Sequence, residues 1–351
     1  MPIFEHHEFA GHERIVHASD RTTGLRAIVA IHDRTLGPAI GGCRLFPYAE
    51  ETDALADVLR LSKGMTYKNA LGGLPFGGGK SVIIADPNNK TPELLRAFAV
   101  VVNGLQGQYW TGEDINIGTQ DVELMARHTS FVIGRTAGAV RSGDPSPFTA
   151  GGCFAGMKAA LQHIYGTSDL SGRRVAIQGV GNVGFALASL VAKAGGSLFV
   201  ADIRPDLIER AQQAIGATVV SPEAIYDADC DVFAPCAMGG TLNEETVRRL
   251  RARIVCGVAN NQLASPEVGH LMFERGIAYA PDYVVNVGGM LNASGDFFGS
   301  YDVDDVWRKV NAIGETTAKV LETAARENRP PHQVADAMAE AILEARRRSV
   351  A

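Results

Sequence analysis

The stretch RRVAIQGVGNVG, residues 173–184, decides the fold of this chain. Its apolar first half predicts a buried strand, and a helical pattern follows directly. Between strand and helix, Gly179, Gly181 and Gly184 form the pattern G-x-G-x-x-G. The first glycine of this pattern allows a tight turn, the second lets backbone approach a pyrophosphate, and the third permits close helix–strand contact. The stretch therefore predicts a dinucleotide site, with an ordinary glycine turn of an α/β protein as the alternative.

The residues after the glycines refine this prediction. Asn182 and Val183 complete the glycine pattern, and a helical pattern over 185–194 follows, whose positive N-terminal end would face the anion. Asp202 ends the next predicted strand, where a carboxylate can hold a ribose 2′-hydroxyl, so NAD is favoured over NADP. Arg204 weakens this preference without reversing it.

Outward from this motif, strand and helix patterns alternate toward the C-terminus. Such alternation indicates a parallel sheet covered by helices on both faces. After the strand at 173–179, further strands are predicted at 197–203, 217–220, 230–236, 253–259 and 277–284.

The first 135 residues mix strands and helices in another order. Residues 136–148 are small, polar and proline-bearing, which indicates a linker or a surface crossing. The predicted elements, in chain order, are strand 26–32, a helix over 53–71 capped by Thr52, strand 81–86, a helix starting at Thr91-Pro92-Glu93, a helix over 150–165 and two helices over about 303–350.

Composition excludes several classes of protein. A net charge of −6 and a pI of about 5.9 lack the positive field that nucleic acid demands. The N-terminal residues show no secretory signal, and no window approaches the ~18 apolar residues of a membrane span. The five cysteines are scattered without a C-x-x-C pair, so we expect reduced thiols, no metal site and a cytoplasmic protein.

The glycine-rich segment Gly77-Gly78-Gly79-Lys80-Ser81 is similar to a P-loop but departs from that motif. A P-loop needs glycine at position 74, which is Leu74, and a helix after the lysine, where the strand 81–86 is predicted. We expect the glycines to pack backbone tightly and to leave Lys80 poorly solvated. Burial disfavours the ammonium form of a lysine, as does a neighbouring cation such as Lys68, so we expect Lys80 to reach its neutral form near neutral pH. Two solvated surface lysines are the alternative.

Two further groups of polar residues are candidates for the site. Asp114, in WTGEDIN (110–116), is a candidate proton donor or a simple turn carboxylate. The amides in Asn260-Asn261-Gln262 and at Asn286 follow predicted strands, where such sheets bind ligands, and they either contact a nicotinamide or stabilise turns.

Together these motifs resemble the Glu/Leu/Phe/Val dehydrogenase superfamily, in its leucine/phenylalanine/valine branch. The resemblance runs over nearly the whole chain. It is carried by GPAIGGCR (37–44), RLSKGMTYKNA (60–70), GLPFGGGKSVI (73–83), GEDIN (112–116), QGVGNVG (178–184), APCAMGG (234–240), ANNQL (259–263) and APDYVVNVGG (280–289).

The resemblance implies a reversible reaction in which an L-amino acid, NAD and water give a 2-oxo acid, ammonia and NADH. Lys68 would bind the substrate carboxylate, Lys80 would activate water, and Asp114 would move protons to and from the amino nitrogen. Further substrate contacts are implied at Gly41, Gly42, Met65, Ile40, Gly112, Asn261 and Ala293, and cofactor contacts at Gly179, Gly181, Asn182, Val183, Gly184, Asp202, Thr149 and Asn261.

Three positions bear on the substrate side chain. Glutamate-specific members have a lysine where this chain has Ile40 and a serine where it has Ala293, so we expect glutamate to be a poor substrate, because its distal carboxylate would be buried unpaired. Gly112 and Ala293 are also smaller than in leucine-type members, which favours phenylalanine over leucine or valine. The loop after Asp114 is longer than in many members, so the motif alone does not determine where the Asp114 side chain lies.

The resemblance implies a two-domain α/β fold. An N-terminal α/β domain, residues 1–135 joined by 331–351, would bind substrate and form a homo-oligomer, and a Rossmann-type doubly wound domain, 136–330, would bind NAD. The active site would lie in the cleft between them. Rival interpretations are a non-catalytic NAD-binding sensor, which predicts lost catalytic groups, and a structural scaffold.

Overall fold

A computed structural model describes residues 3–136 and 142–350, and the chain divides into two compact units. The first unit comprises residues up to 143 together with 293–302 and 339–351, and the second comprises the remainder. These bounds differ from the predicted domains, because 293–302 belong to the first unit and 331–338 to the second. The middle of the predicted linker, 137–141, lies outside the described residues, and its last residues already belong to a helix.

A six-stranded mixed sheet forms the centre of the first unit. Its strands are β1 (Arg14–Asp20), β2 (Leu25–Asp33), β3 (Ala39–Ile40), β4 (Cys43–Phe46), β5 (Gly77–Ile84) and β6 (Tyr109–Trp110). They are ordered β1-β2-β5-β3-β6, with β4 also paired to β5. β2 is antiparallel to both β1 and β5, whereas β3 and β4 run parallel to β5, and β6 runs parallel to β3.

The helices in the N-terminal part of this unit include α1 (Glu51–Leu71), α2 (Pro92–Gly104) and α3 (Thr119–Met125). The hydroxyl of Thr91 accepts a hydrogen bond from the Leu94 N–H, which confirms the predicted start of α2. The predicted cap of α1 is wrong. Its N-cap is Glu50, without a side-chain hydrogen bond, and Thr52 lies inside the helix. Acidic side chains in the first turn favour this earlier start because they offset the helix dipole.

The glycine run lies in β5, which begins at Gly77 rather than at residue 81 as predicted. A Cβ on Gly78 would stand 2.1 Å from the backbone nitrogen of Thr66 in α1, and one on Gly79 would stand 2.7 Å from the ring of Tyr109. The strand therefore touches α1 and β6 at distances that only glycine permits. A strand continues after Lys80, which confirms that the segment is not a P-loop.

A six-stranded parallel sheet forms the centre of the second unit. Its strands are β7 (Arg174–Gln178), β8 (Ser197–Ala201), β9 (Thr218–Val219), β10 (Val232–Pro235), β11 (Ile254–Val255) and β12 (Ala278–Tyr279). The order is β12-β11-β10-β7-β8-β9, so the winding reverses between β7 and β10. This is the doubly wound arrangement predicted from the sequence.

The helices of the remaining chain follow in order. They are α4 (Ser146–Tyr165), α5 (Asn182–Lys193), α6 (Pro205–Ile215), α7 (Glu244–Arg249), α8 (Pro266–Glu274), α9 (Asp282–Val285), α10 (Gly288–Phe298), α11 (Val303–Glu327) and α12 (Pro331–Val350). Single 3₁₀ turns occur at Ile3–Glu5, Pro87–Asn89 and Ala224–Asp227. The core of the second unit is apolar and includes Met157, Val175, Ile177 and Val191. The strand predicted over 277–284 is too long, because Pro281 ends it and α9 follows.

We predict that Gly78→Ala lowers the free energy of unfolding, because the new methyl group would overlap backbone that cannot move aside. The expected loss is about 1–3 kcal/mol or more. Gly64→Ala is the matched control: Gly64 lies inside α1 with open space around a new Cβ, so this change should stabilise by about 0.5–1 kcal/mol. Urea unfolding of both variants measures the difference, and equal stability would contradict the packing described.

Candidate active site

A buried lysine and a buried aspartate meet in the first unit. Lys80, on β5, is 5% exposed, and the Asp114 side chain, in the loop after β6, is 8% exposed. Lys80 Nζ forms an ion pair with Asp114 Oδ2. The expected burial of Lys80 is thus confirmed. The two groups are in direct contact, so a proton can pass between them without an intervening carrier.

A tight turn accounts for the longer loop at Asp114. The Ile117 N–H donates to the Asp114 carbonyl at 2.9 Å, and the Asp114 N–H donates to the Ile117 carbonyl at 3.2 Å. Ile115 and Asn116 lie between these residues. Asn116 has a φ of 60°, which asparagine tolerates, and its side chain donates to the Leu45 carbonyl at 2.9 Å. The extra residues are therefore absorbed in the turn, and Asp114 still reaches Lys80.

Asp114 has a second cationic neighbour. Arg44 Nη2 lies 3.7 Å from Asp114 Oδ1, and the Ile115 N–H donates to the same oxygen at 2.7 Å. Burial by itself raises the pKa of the Asp114 carboxyl, but the charges of Lys80 and Arg44 outweigh it and hold that pKa below its usual range. The carboxyl group is therefore ionised at neutral pH.

Two glycines, Gly41 and Gly42, allow neighbouring backbone segments to lie close to the Lys80–Asp114 pair. A Cβ on Gly41 would lie 1.9 Å from the Gly79 carbonyl oxygen and 3.1 Å from Met65 Cγ. A Cβ on Gly42 would lie 2.1 Å from the Glu113 carbonyl oxygen and 3.1 Å from the Asp114 Cβ. The structure thus brings Gly42 against the Asp114 loop and Gly41 against β5 and α1.

The other predicted substrate residues of the first unit lie on several elements. Lys68 is half-buried in the last turn of α1, three residues after Met65. Ile40 is fully buried and pairs with Trp110 in the sheet. Ala293, in α10, is 9% exposed.

Gly112, which was expected to leave room for a substrate, has a close packing neighbour. A Cβ at this position would lie 3.1 Å from both the Cγ1 and the carbonyl oxygen of Ile133. Its small size therefore accommodates the packing of Ile133.

In the second unit, the glycines of the dinucleotide motif have distinct environments. Gly179 has a φ of 93°, and a Cβ there would lie within 2.8 Å of Ala237, which follows β10. A Cβ on Gly184 would lie 2.0 Å from the Gly179 carbonyl oxygen, whereas one on Gly181 would meet nothing within 4 Å. The turn thus lies where the strand order reverses, and Gly181 and the exposed Asn182 border open space at the start of α5. Such a helix start suits a pyrophosphate.

Asp202 lies beside this turn. Its carboxylate accepts hydrogen bonds from the Val180 N–H at 2.8 Å and the Arg204 N–H at 3.0 Å. The guanidinium of Arg204 pairs with Asp206 at 2.5 Å. Beside the turn, Asp202 thus contributes a negative charge, and the positive charge of Arg204 is neutralised by Asp206. This arrangement is consistent with a ribose without a 2′-phosphate.

Two other predicted contacts have local partners. The Thr149 hydroxyl donates to the Pro145 carbonyl at 3.0 Å, and the Asn261 N–H donates to Asp282 Oδ2 at 2.9 Å. Asn286 follows α9 rather than a strand, and its amide donates to Asn260 Oδ1 at 2.7 Å. Its own Oδ1 is buried and lacks a hydrogen-bond partner among the described residues, which suits an amide donor of a ligand.

Two absences concern the described residues alone. None of the helices within 3–136 and 142–350 combines the length and apolar character needed to cross a bilayer. In the same ranges, His, Cys, Asp and Glu side chains do not assemble in groups of three that could hold a metal ion.

A doubly wound unit with a dinucleotide turn, in one chain with a buried lysine–aspartate pair, defines a dehydrogenase. The chain belongs to the Glu/Leu/Phe/Val dehydrogenase family. The model of its N-terminal dimerisation domain matches residues 8–135, and that of the Glutamate/Leucine/Phenylalanine/Valine dehydrogenase domain matches 200–347. The protein is thus an oxidoreductase acting on the CH–NH₂ group of amino acids, in a family of NAD(P)-dependent enzymes.

Relatives match over nearly the full chain. Leucine dehydrogenase of Bacillus subtilis (strain 168) is 43% identical over 350 residues, 99% of this chain and 96% of the relative. Phenylalanine dehydrogenase of Caldalkalibacillus thermarum is 42% identical over 347 residues, 97% and 94% of the two chains. The crystal structure of L-tryptophan dehydrogenase from Nostoc punctiforme matches with a TM-score of 0.81 at 40% identity, over 96% of this chain and 97% of that one.

The contact between Arg44 and Asp114 was not predicted from the sequence. This arginine ends a segment that carries the family resemblance, yet its charge was not connected with Asp114. Only the fold brings residues 44 and 114 together, since no helical or strand period relates them.

We predict that Gly181→Ala weakens NADH binding about tenfold or more without changing thermal stability, because its Cβ would enter the open space beside the turn and not the core. Gly104→Ala, at the end of α2 with similar open space, is the control and should bind NADH normally. Fluorescence titration with NADH measures both. Unchanged binding in Gly181→Ala would place the dinucleotide elsewhere.

Proposed function

We propose that the protein catalyses the reversible, NAD-dependent oxidative deamination of a hydrophobic L-amino acid to its 2-oxo acid and ammonia. The observation that carries this proposal is the buried contact between Lys80 and Asp114, since it supplies a base and a proton carrier in a dry environment. The similarity to enzymes named leucine, tryptophan and phenylalanine dehydrogenase supports the substrate class.

Each polar residue has a separate task in this reaction. A bound NAD would supply the hydride acceptor for the substrate Cα. Lys68 binds the substrate carboxylate. As the hydride leaves Cα, Asp114 takes a proton from the amino group, and the imine forms. Lys80 then takes a proton from water as the water attacks the imino carbon, and Asp114 delivers a proton to the nitrogen. Ammonia leaves as the hydroxyl proton passes to Lys80 and the 2-oxo group forms. Direct contact between Lys80 Nζ and Asp114 Oδ2 lets the proton taken from water return to the leaving group.

NAD is proposed as the cofactor rather than NADP. Asp202 stands beside the glycine turn as an acceptor for a ribose hydroxyl, and a 2′-phosphate would meet its negative charge. Arg204 would be the cation available to such a phosphate, but it already pairs with Asp206. Thr149, Asn261 and the unpartnered oxygen of Asn286 are proposed to contact the nicotinamide half.

The side-chain pocket is proposed to be apolar and to favour phenylalanine. Ile40 pairs with Trp110, whose ring contacts Phe297 edge-on with centroids 4.9 Å apart. Phe297 lies one turn after Ala293 in α10. The Trp110–Phe297 contact therefore lies next to both Ile40 and Ala293, the two positions where glutamate-specific members have polar residues. Since Gly112 packs on Ile133, the preference for phenylalanine rests on Ala293 and these rings.

A branched-chain specificity is the second candidate, because several relatives at 43% identity are named leucine dehydrogenase. We also propose that the first unit binds substrate and forms a homo-oligomer, which the description of its family model as a dimerisation domain supports. The second unit would bind NAD. A cytoplasmic location stays a prediction.

We predict that kcat/KM, followed by NADH absorbance at alkaline pH, is highest with L-phenylalanine, lower with L-leucine and L-valine, and lowest with L-glutamate. L-Tryptophan tests the upper size of the pocket, and parallel assays with NADP test the cofactor. A clear preference for valine would refute the aromatic preference. No turnover with any hydrophobic amino acid would favour a non-catalytic NAD-binding sensor.

We predict that Lys80→Ala lowers kcat by ~10²–10⁴ while NADH still binds, because the variant lacks the base but keeps the second unit intact. Lys68→Ala should instead raise KM for the amino acid by roughly 10- to 100-fold, since it removes a charged partner of the carboxylate. Lys63→Ala, on the same helix as Lys68, is the control and should leave both constants unchanged. Near-normal turnover of Lys80→Ala would refute the assignment of the base.

A further inference from the structure

A row of charged side chains continues from Asp114 away from Lys80. Arg44, on β4, contacts Asp114 Oδ1 through Nη2 at 3.7 Å and Asp57 Oδ2 through Nη1 at 2.8 Å. The hydroxyl of Tyr48 donates to the same oxygen of Asp57 at 2.6 Å. Arg44 and Asp57, with side chains 13% and 14% exposed, are largely removed from water. The guanidinium is therefore fixed between a carboxylate of α1 and the carboxylate of the proposed proton carrier.

The charge of Arg44 is permanent, whereas that of Lys80 changes in the proposed reaction. A guanidinium keeps its proton at any working pH, but a lysine that serves as a base must become neutral. When Lys80 is neutral, Asp114 has lost one of its two cationic neighbours while still buried. An unpaired buried carboxylate is costly, so Asp114 would take up a proton before Lys80 has one to pass on. Arg44 supplies the positive charge that prevents this.

We propose that Arg44 is a positioning residue for the reaction: it keeps Asp114 ionised and directed at Lys80, and Asp57 holds Arg44 in place. This inference rests on the proposed function, because it concerns the proton carrier of that reaction. A purely structural role is the alternative, in which the Arg44–Asp57 pair only ties β4 to α1. The two roles differ in whether the effect of Arg44 depends on Asp114.

A double-mutant cycle tests this dependence. Arg44→Gln should lower kcat roughly 10- to 100-fold with KM for the amino acid and NAD within about threefold of wild type. Asp114→Asn should lower kcat by ~10²–10⁴. If Arg44 acts through Asp114, the double variant should be no slower than Asp114→Asn within about threefold. Losses that multiply would overturn the proposal.

Two further variants separate charge from packing. Arg44→Lys keeps a positive charge and should retain more of kcat than Arg44→Gln, and equal loss in both would overturn the proposal. Arg60→Ala is the matched control, because Arg60 Nη2 lies 3.8 Å from Oδ1 of the same Asp57 and the Arg60 side chain is exposed on α1. It should turn over normally, and a loss as large as that of Arg44→Gln would also overturn the proposal.

Folding and the basic activity are controlled separately. Thermal melts identify any variant that fails to fold. If Arg44→Gln does so, Tyr48→Phe removes only one hydrogen bond to Asp57 and should give a smaller loss of kcat that disappears in the Asp114→Asn background. A wild type without NAD-dependent turnover would refute the proposed function itself, whereas an active wild type with independent Arg44 and Asp114 effects would refute only this inference.

Discussion

Close approach of backbone to backbone places a lysine and an aspartate together out of water. β5 lies against α1 at Gly78, and Gly41 and Gly42 bring the chain before β4 against β5 and the Asp114 loop. Any side chain at these positions would separate the segments that carry Lys80 and Asp114. Removal from water then makes the two charges depend on each other, because neither is stable alone in a buried place. The proposed proton transfers use this mutual dependence.

The fold was largely predictable because its signals are local. Apolar runs and glycine turns alternate along the second unit, and the pattern around Gly179 requires a strand before it and a helix after it. The errors occurred at the ends of elements, where the apolar pattern alone does not determine the boundary. The apolar run from 277 is a strand only to Tyr279, since Pro281 redirects the chain into α9. α1 begins before Thr52 because acidic residues occupy its first turn.

The site was predictable only in part. Glycines around a lysine indicated a poorly solvated amine, and the structure places Lys80 in such an environment. The partners were not predictable from spacing, because residues 44, 57, 80 and 114 lie on β4, α1, β5 and the loop after β6, and only the fold brings these elements together. Gly112 illustrates the same limit: a small residue suggested free volume, but a Cβ there would lie 3.1 Å from Ile133. Pocket size depends on neighbours that a sequence does not reveal.

The most direct test of the central claim is to follow the protonation of Lys80 by NMR, using an isotope label on its side-chain nitrogen or the adjacent carbon, while turnover is measured over the same pH range. A Lys80→Ala sample identifies the signal. We predict that the Lys80 signal titrates with the same midpoint as the rise in turnover, and that Asp114→Asn shifts this midpoint. A Lys80 signal that stays that of an ammonium group while turnover rises would contradict the proposed activation of water.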